Sequence, residues 1–190
     1  MTVTLLRFSR AELGVLADSG IPERLAGRIA DGALPPAFVA QRALKQLEAA
    51  KAESWCGTFC IVREDGGAVV GSCGFKDVPS SGQVEIGYGV SPEWRNRGVA
   101  TGAVRELCRL AFASGEAHAV LARVNPTNLS SSRVVEKLGF ERGDTVVDDD
   151  GEMVVQWVSR KPPVPALGEP ADDGPGPAIR IERQDSEQRS

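Results

Sequence analysis

Histidine and tyrosine occur once each, methionine twice and cysteine four times in 190 residues, and aromatic residues make up only 5% of the chain. A histidine-centred catalytic site would have to use His118, which opens a strand-like run with Val120 and Ala122 and has no nucleophile or acid partner near it in sequence, so it reads as a structural or surface residue. Cys56, Cys60, Cys73 and Cys108 are irregularly spaced, with no CxxC pair and no Cys/His cluster, which argues against a zinc site or a disulfide framework and for reduced, buried thiols. Basic residues are not in excess: 22 Lys and Arg against 26 Asp and Glu give a formal charge of -4, and no electrostatic footprint for a nucleic acid. No apolar run approaches the ~20 residues that cross a bilayer. The opening stretch MTVTLLRFSRAELG has no basic segment followed by a continuous apolar one, so a cytoplasmic protein without membrane contact is expected. The run Asp148-Asp149-Asp150 lacks the alternating spacing of a calcium loop and reads as a charged hairpin turn, and no metal is expected.

What remains is an ordinary globular composition, 42% hydrophobic and 25% charged, in a chain long enough for one domain. Thr2 to Phe8 is strand-like, and Ser9 followed by Glu12 forms the signature of a capped helix from Arg10. Apolar residues at helical spacing mark Ala37 to Glu53. Trp55 to Arg63 and Ala68 to Phe75 are β-prone runs around the turn Glu64-Asp65-Gly66-Gly67, and Gln83 to Val90 completes a meander. Val99 to Phe112 is an amphipathic helix, Ala117 to Val124 a strand, and Asn128 to Leu138 a helix closed by Gly139. Phe140 to Val147 and Glu152 to Ser159 form a last hairpin. The order β-α-α-β-β-β-α-β-α-β-β places the domain in residues 1–160, in the α/β (α+β) class. Residues 161–190 hold six of the twelve prolines, a net charge of -2 (four basic, six acidic) and no apolar periodicity, so a disordered tail is expected there.

Chemistry concentrates in Val84 to Ala103, VEIGYGVSPEWRNRGVATGA, where a strand leads through Arg95-Asn96-Arg97-Gly98-Val99-Ala100 into a helix. Unpaired backbone N–H groups at a helix start, beside two guanidinium groups, suit a pyrophosphate. Gly98 and the small Ala100 leave room for a phosphate to approach the backbone.

This RxxGxA stretch matches the [Q/R]xxGx[G/A] signature of the GNAT acyltransferase superfamily, and Asn128 to Phe140, NLSSSRVVEKLGF, resembles the NxxSxxVxEKLGF segment of its ribosomal-protein alanine N-acetyltransferase-like branch. EIGYGVSPE, just before the loop, is also similar to that branch. The resemblance implies a mixed, mostly antiparallel sheet of six to seven strands with about four helices, splayed between the fourth and fifth strands. It implies acetyl-CoA as cosubstrate, with the pantetheine arm on the backbone of Tyr88, Gly89 and Val90 and the pyrophosphate on Arg95, Asn96, Arg97, Gly98, Val99 and Ala100. Asn128 would hydrogen-bond the pantetheine arm, although asparagine is equally a helix N-cap.

The implied reaction is N-acetylation of a primary amine, on a small molecule or a protein N-terminus, by direct attack in a ternary complex. Glu85 is the candidate base, against a plain ion-pair role or a water relay. Many members of the superfamily carry a tyrosine on the fourth helix to assist the departing thiolate, and here that helix has none, which makes Ser131 the candidate donor to the sulfur, against a helix-capping role. A CoA-binding regulatory module with little turnover is the competing function. Homodimerisation stays open, and no motif names the acceptor, whose site the resemblance puts between Leu5 to Glu53 and the hairpin around Asp144 to Glu152.

Overall fold

The computed structural model describes residues 2–148 and 150–160. Seven strands and four helices follow in chain order: β1 (Val3–Arg7), α1 (Arg10–Ala17), α2 (Ala37–Glu48), β2 (Thr58–Arg63), β3 (Val69–Phe75), β4 (Gln83–Val90), α3 (Val99–Ala113), β5 (Ala119–Val124), α4 (Leu129–Lys137), β6 (Glu141–Val147) and β7 (Met153–Arg160). The strands make one sheet in the order β1-β2-β3-β4-β5-β7-β6, antiparallel at every junction except the parallel pair β4 and β5. This is the mixed sheet that the resemblance implies, with its strand and helix numbers.

Local signals explain most boundaries. Ser9 accepts from the Glu12 N–H while the Glu12 carboxylate takes the Ser9 N–H, a reciprocal capping box that starts α1. Gly139, with φ +73°, follows the end of α4 and lets the Phe140 N–H turn back to the Val135 carbonyl. The helical run expected as far as Glu53 ends at Glu48 instead, because Ala50 takes a left-handed φ of 53° and the chain turns to bury Trp55, whose ring packs edge-on against Phe75 at 5.0 Å.

Strand alternation divides the core in two. On one face Val84 and Ile86 of β4 and Val120 and Ala122 of β5 pack under Val99, Ala103, Val104, Leu107 and Ala111 of α3. On the other, Cys60, Val62 and Val69 lie beneath Leu13 and Leu16 of α1 and Ala40 and Ala43 of α2. Each fully buried aliphatic side chain of this kind contributes about 1.5–3 kcal/mol. All four cysteines are free thiols; burial pushes Cys60 up to about 11 and Cys108 up to about 12, and raises Cys56 and Cys73 as well. Among the described residues no helix is long and apolar enough to cross a membrane, and no group of His, Cys, Asp or Glu is arranged to hold a metal ion.

The tail expected over residues 161–190 lies outside the described residues. Since β7 completes its pairing with β5 at Ala119 and Arg160, a chain ending at Arg160 keeps every strand of the sheet. Thermal unfolding of that truncated chain should show a midpoint within ~2 °C of the full chain; a larger fall would show that the remaining residues pack on the domain.

Candidate active site

The parallel pairing of β4 with β5 runs Gln83↔Ala119, Val84↔Val120, Glu85↔Leu121 and Ile86↔Ala122, and there it stops. β3 stays paired with β4 to its end, through Cys73↔Tyr88, Ser72↔Gly89 and Gly71↔Val90. β5 stays paired with β7 through Arg123↔Gln156 and Val124↔Val155. From Gly87 to Val90, therefore, the β5-facing edge of β4 has no strand partner, and, apart from the Val90 carbonyl, which accepts from Arg95, its peptide groups are available to an extended ligand.

At the end of that edge stands the loop. Asn96 (φ 59°) and Gly98 (φ 81°) both adopt left-handed backbone, and Gly98 occupies the N-cap position of α3 without any side-chain cap. Its carbonyl takes the first helical bond, from Gly102 at 2.9 Å. The N–H groups of Val99, Ala100 and Thr101 have no carbonyl a turn behind them and carry the positive end of a helix spanning Val99–Ala113. A Cβ on Gly98 would meet no heavy atom within 4 Å, so the glycine is required by its φ of 81° and not by crowding within the protein. The two loop guanidiniums differ. Arg95 donates from Nε to the Val90 carbonyl (3.3 Å), whereas Arg97 stacks on the Trp94 ring at 4.7 Å and Arg63 stacks on the same ring at 4.0 Å.

Across the opening, Asn128 is the N-cap of α4, its Oδ1 accepting from the Ser131 N–H at 3.1 Å. That is the capping role left open above, and it leaves the Nδ2 donors free for a ligand. The Ser131 hydroxyl bonds to no other described residue, while its carbonyl accepts from the Tyr88 phenol at 3.2 Å. Tyr88 thus reaches from β4 to the first turn of α4 and braces the separated arms; burial raises its pKa. Only the Tyr88 backbone was expected to matter, and the phenol's reach to α4 has no local sequence signal.

Glu85 is on the opposite face, towards α2. Lys76 Nζ lies 2.5 Å from its Oε1, without the angle of a hydrogen bond, and Arg123 Nη1 lies 3.2 Å from its Oε2. The ion-pair alternative is therefore realised, although Oε1 is buried and lacks a directed donor. His118 bonds through Nδ1 to the Gly82 carbonyl (2.7 Å), and Asp148 accepts the N–H groups of Asp150 and Glu152 at 3.1 and 2.8 Å, so both hold turns. A concavity of about 620 Å³ lined by Phe8, Leu13, Trp55, Phe75 and Leu110 lies towards the C-terminal end of α3, away from the loop, and has no part in this geometry.

The family profile Acetyltransferase (GNAT) domain matches residues 24–141. The chain belongs to the GNAT acetyltransferase family. Among curated relatives, an uncharacterized N-acetyltransferase p20 of Bacillus licheniformis is 30% identical over 91 residues, 47% of this chain and 51% of the relative, so the chain spans about half the length of the curated relatives it matches. Of solved structures, the aminoglycoside acetyltransferase AAC(6')-Ib in complex with coenzyme A shares the GNAT fold with a TM-score of 0.59 at 23% identity, covering 84% of this chain and 95% of its own. A spermidine N-acetyltransferase chimera of SpeG from Vibrio cholerae and hSSAT superposes as well, with a TM-score of 0.60 at 14% identity, covering 84% and 96%. These two neighbours do not single out the ribosomal-protein branch, which rests on the Asn128 to Phe140 motif and the EIGYGVSPE stretch.

Replacing Gly98 tests the loop. Gly98→Val should abolish detectable CoA binding by calorimetry and, because a β-branched residue is strained at this φ, should also lower stability by ~1–2 kcal/mol. Gly98→Ala should weaken CoA binding with a smaller stability loss. CoA affinity unchanged in the folded variants would remove the loop from the site.

Proposed function

We propose that the chain binds acetyl-CoA along the open edge of β4 and transfers its acetyl group to a primary amine held on the α2 face. The observation that carries this reading is the end of β4–β5 pairing at Ile86↔Ala122, with the free N–H groups of α3 standing at the end of the exposed edge. In this reading the peptide groups of Tyr88, Gly89 and Val90 hold the pantetheine arm, and Arg95 to Ala100 hold the pyrophosphate, with Arg97 kept in place by its stack on Trp94. Asn128 donates to the arm through Nδ2. Acetyl-CoA supplies an activated thioester; everything else falls to the protein.

The amine must lose a proton, a C–N bond must form, and the C–S bond must break with its electron pair leaving on sulfur. Glu85 accepts the amine's proton, through its undirected Oε1 or a water beside it. Ser131, whose hydroxyl is uncommitted, donates to the departing sulfur. The alternative, a CoA-binding module with little turnover, draws support from the engagement of Glu85 by both Lys76 and Arg123. Thiol release from acetyl-CoA over a panel of amines, beside direct CoA binding, decides between them: release dependent on amine supports transfer, and binding without release supports the module.

Glu85→Gln should lower turnover about 100-fold or more with CoA affinity unchanged. Near-normal turnover and an unaltered pH profile would leave Glu85 as an ion-pair residue only. Ser131→Ala should slow transfer ~10-fold to ~1,000-fold, because it removes one donor from the sulfur; single-turnover rates equal to those of the native chain would exclude it.

A further inference from the structure

The charge around Glu85 is lopsided. Lys76 and Arg123 both contact it, and Arg42 stands on α2 one helical turn before Gln46, whose Nε2 donates to the Lys76 carbonyl at 2.7 Å; Glu85 and Asp77 both act on the Arg42 charge. Asp77 is itself committed to Lys51, at 2.6 and 2.8 Å. Arg42 makes no hydrogen bond or ion pair among the described residues, and it is half-buried. Burial pushes its pKa down, Glu85 and Asp77 draw it back up, and the guanidinium remains a cation. One carboxylate therefore faces Lys76, Arg42 and Arg123 together, and positive charge is left over.

This excess sits at the mouth of the gap. Arg123 is the first β5 residue beyond the last β4–β5 pair, and Glu85 lies one residue before that pair on β4. The Lys76 chain passes over Gly87, whose missing Cβ would stand 3.7 Å from Lys76 Cε. Gly89, two residues on along the same face, has open space above it. The floor beyond Glu85 is thus bare backbone, rimmed by cations.

Resting on the acetyl-transfer reading above, we infer that the acceptor is an amine carrying a carboxylate within a few bonds of the reacting nitrogen, with Arg42 as the group that binds the carboxylate while Glu85 faces the amine. An α-amino acid has this arrangement of opposite charges. A polyamine or an aminoglycoside has only positive charge to offer, and Lys76, Arg42 and Arg123 repel it.

The test compares matched acceptors with the full chain and saturating acetyl-CoA: leucine, methionine and glutamate, each beside its α-amide, with spermidine and an aminoglycoside alongside. The amide's amine is the less basic, so a larger fraction of it is unprotonated at neutral pH and intrinsic availability runs against the expected result. The expected acid-to-amide ratio in kcat/KM is tenfold or more, carried mainly by KM, with the polycations at background; Arg42→Gln should bring that ratio towards one, and Arg42→Lys should restore part of it. Equal or better use of the amides or the polycations, or a ratio untouched by Arg42→Gln, overturns the inference while leaving acetyl transfer standing. If no amine releases thiol, the transfer reading fails by itself, and calorimetry with CoA bound still reads the charge preference. In that case tighter binding of N-acetylleucine than of N-acetylleucinamide supports the carboxylate site, and equal binding or none refutes it.

Discussion

Everything the site can do depends on two strands parting company after Ile86↔Ala122, the last of their four pairs. A parallel pair that continued past Ile86↔Ala122 would satisfy the backbone of Gly87 to Val90 internally and leave nothing for a ligand to pair with. Unsatisfied peptide groups are costly when desolvated, at about 1–3 kcal/mol each, so an open edge must be water-exposed or filled. The fold keeps the edge open by holding each strand from its far side: β4 by β3, β5 by β7. The Tyr88 phenol on the Ser131 carbonyl then spans the opening at one point and sets the distance between its arms.

The two faces of that opening have different electrostatics. On the α3 side the positive charge is a helix start and an arginine stacked on Trp94, fixed in direction and facing where phosphates would lie. On the α2 side it is carried by Lys76, Arg42 and Arg123 around one carboxylate, and the bare backbone of Gly87 and Gly89 keeps that face accessible. In the proposed reading, cofactor recognition is largely a backbone property, set by conformation at Asn96 and Gly98. In the same reading, acceptor recognition is a side-chain property that substitution in α2 or at the end of β3 would retune without disturbing the sheet.

That division also explains what could be read from the chain beforehand. The bounds of β4, the start of α3, the capping box at Ser9 and Glu12, and the left-handed stop at Gly139 are all local, written within a few residues, and each appears where its chemistry requires. The seven strands, the four helices and the splay after Ile86 agree with the resemblance to GNAT enzymes. The end of α2 falls short of the expected Glu53 although Ala49, Ala50 and Lys51 are good helix formers by propensity, because the burial of Trp55 turns the chain away. The ion pairs of Glu85 join residues from β3, β4 and β5, and neither spacing nor periodicity along the chain announces them. For the same reason the stack of Arg63 and Arg97 on Trp94 could be found only in three dimensions.

Hydrogen exchange measured amide by amide, with and without saturating CoA, tests the central claim most directly. If the open edge of β4 and the start of α3 form the cosubstrate site, CoA should slow exchange selectively at amides within Gly87 to Val90 and at Val99, Ala100 and Thr101. Amides of β1 and β2, on the far side of the sheet, should be unchanged. CoA binding that left those two segments unprotected, or that protected residues elsewhere in their place, would contradict the account.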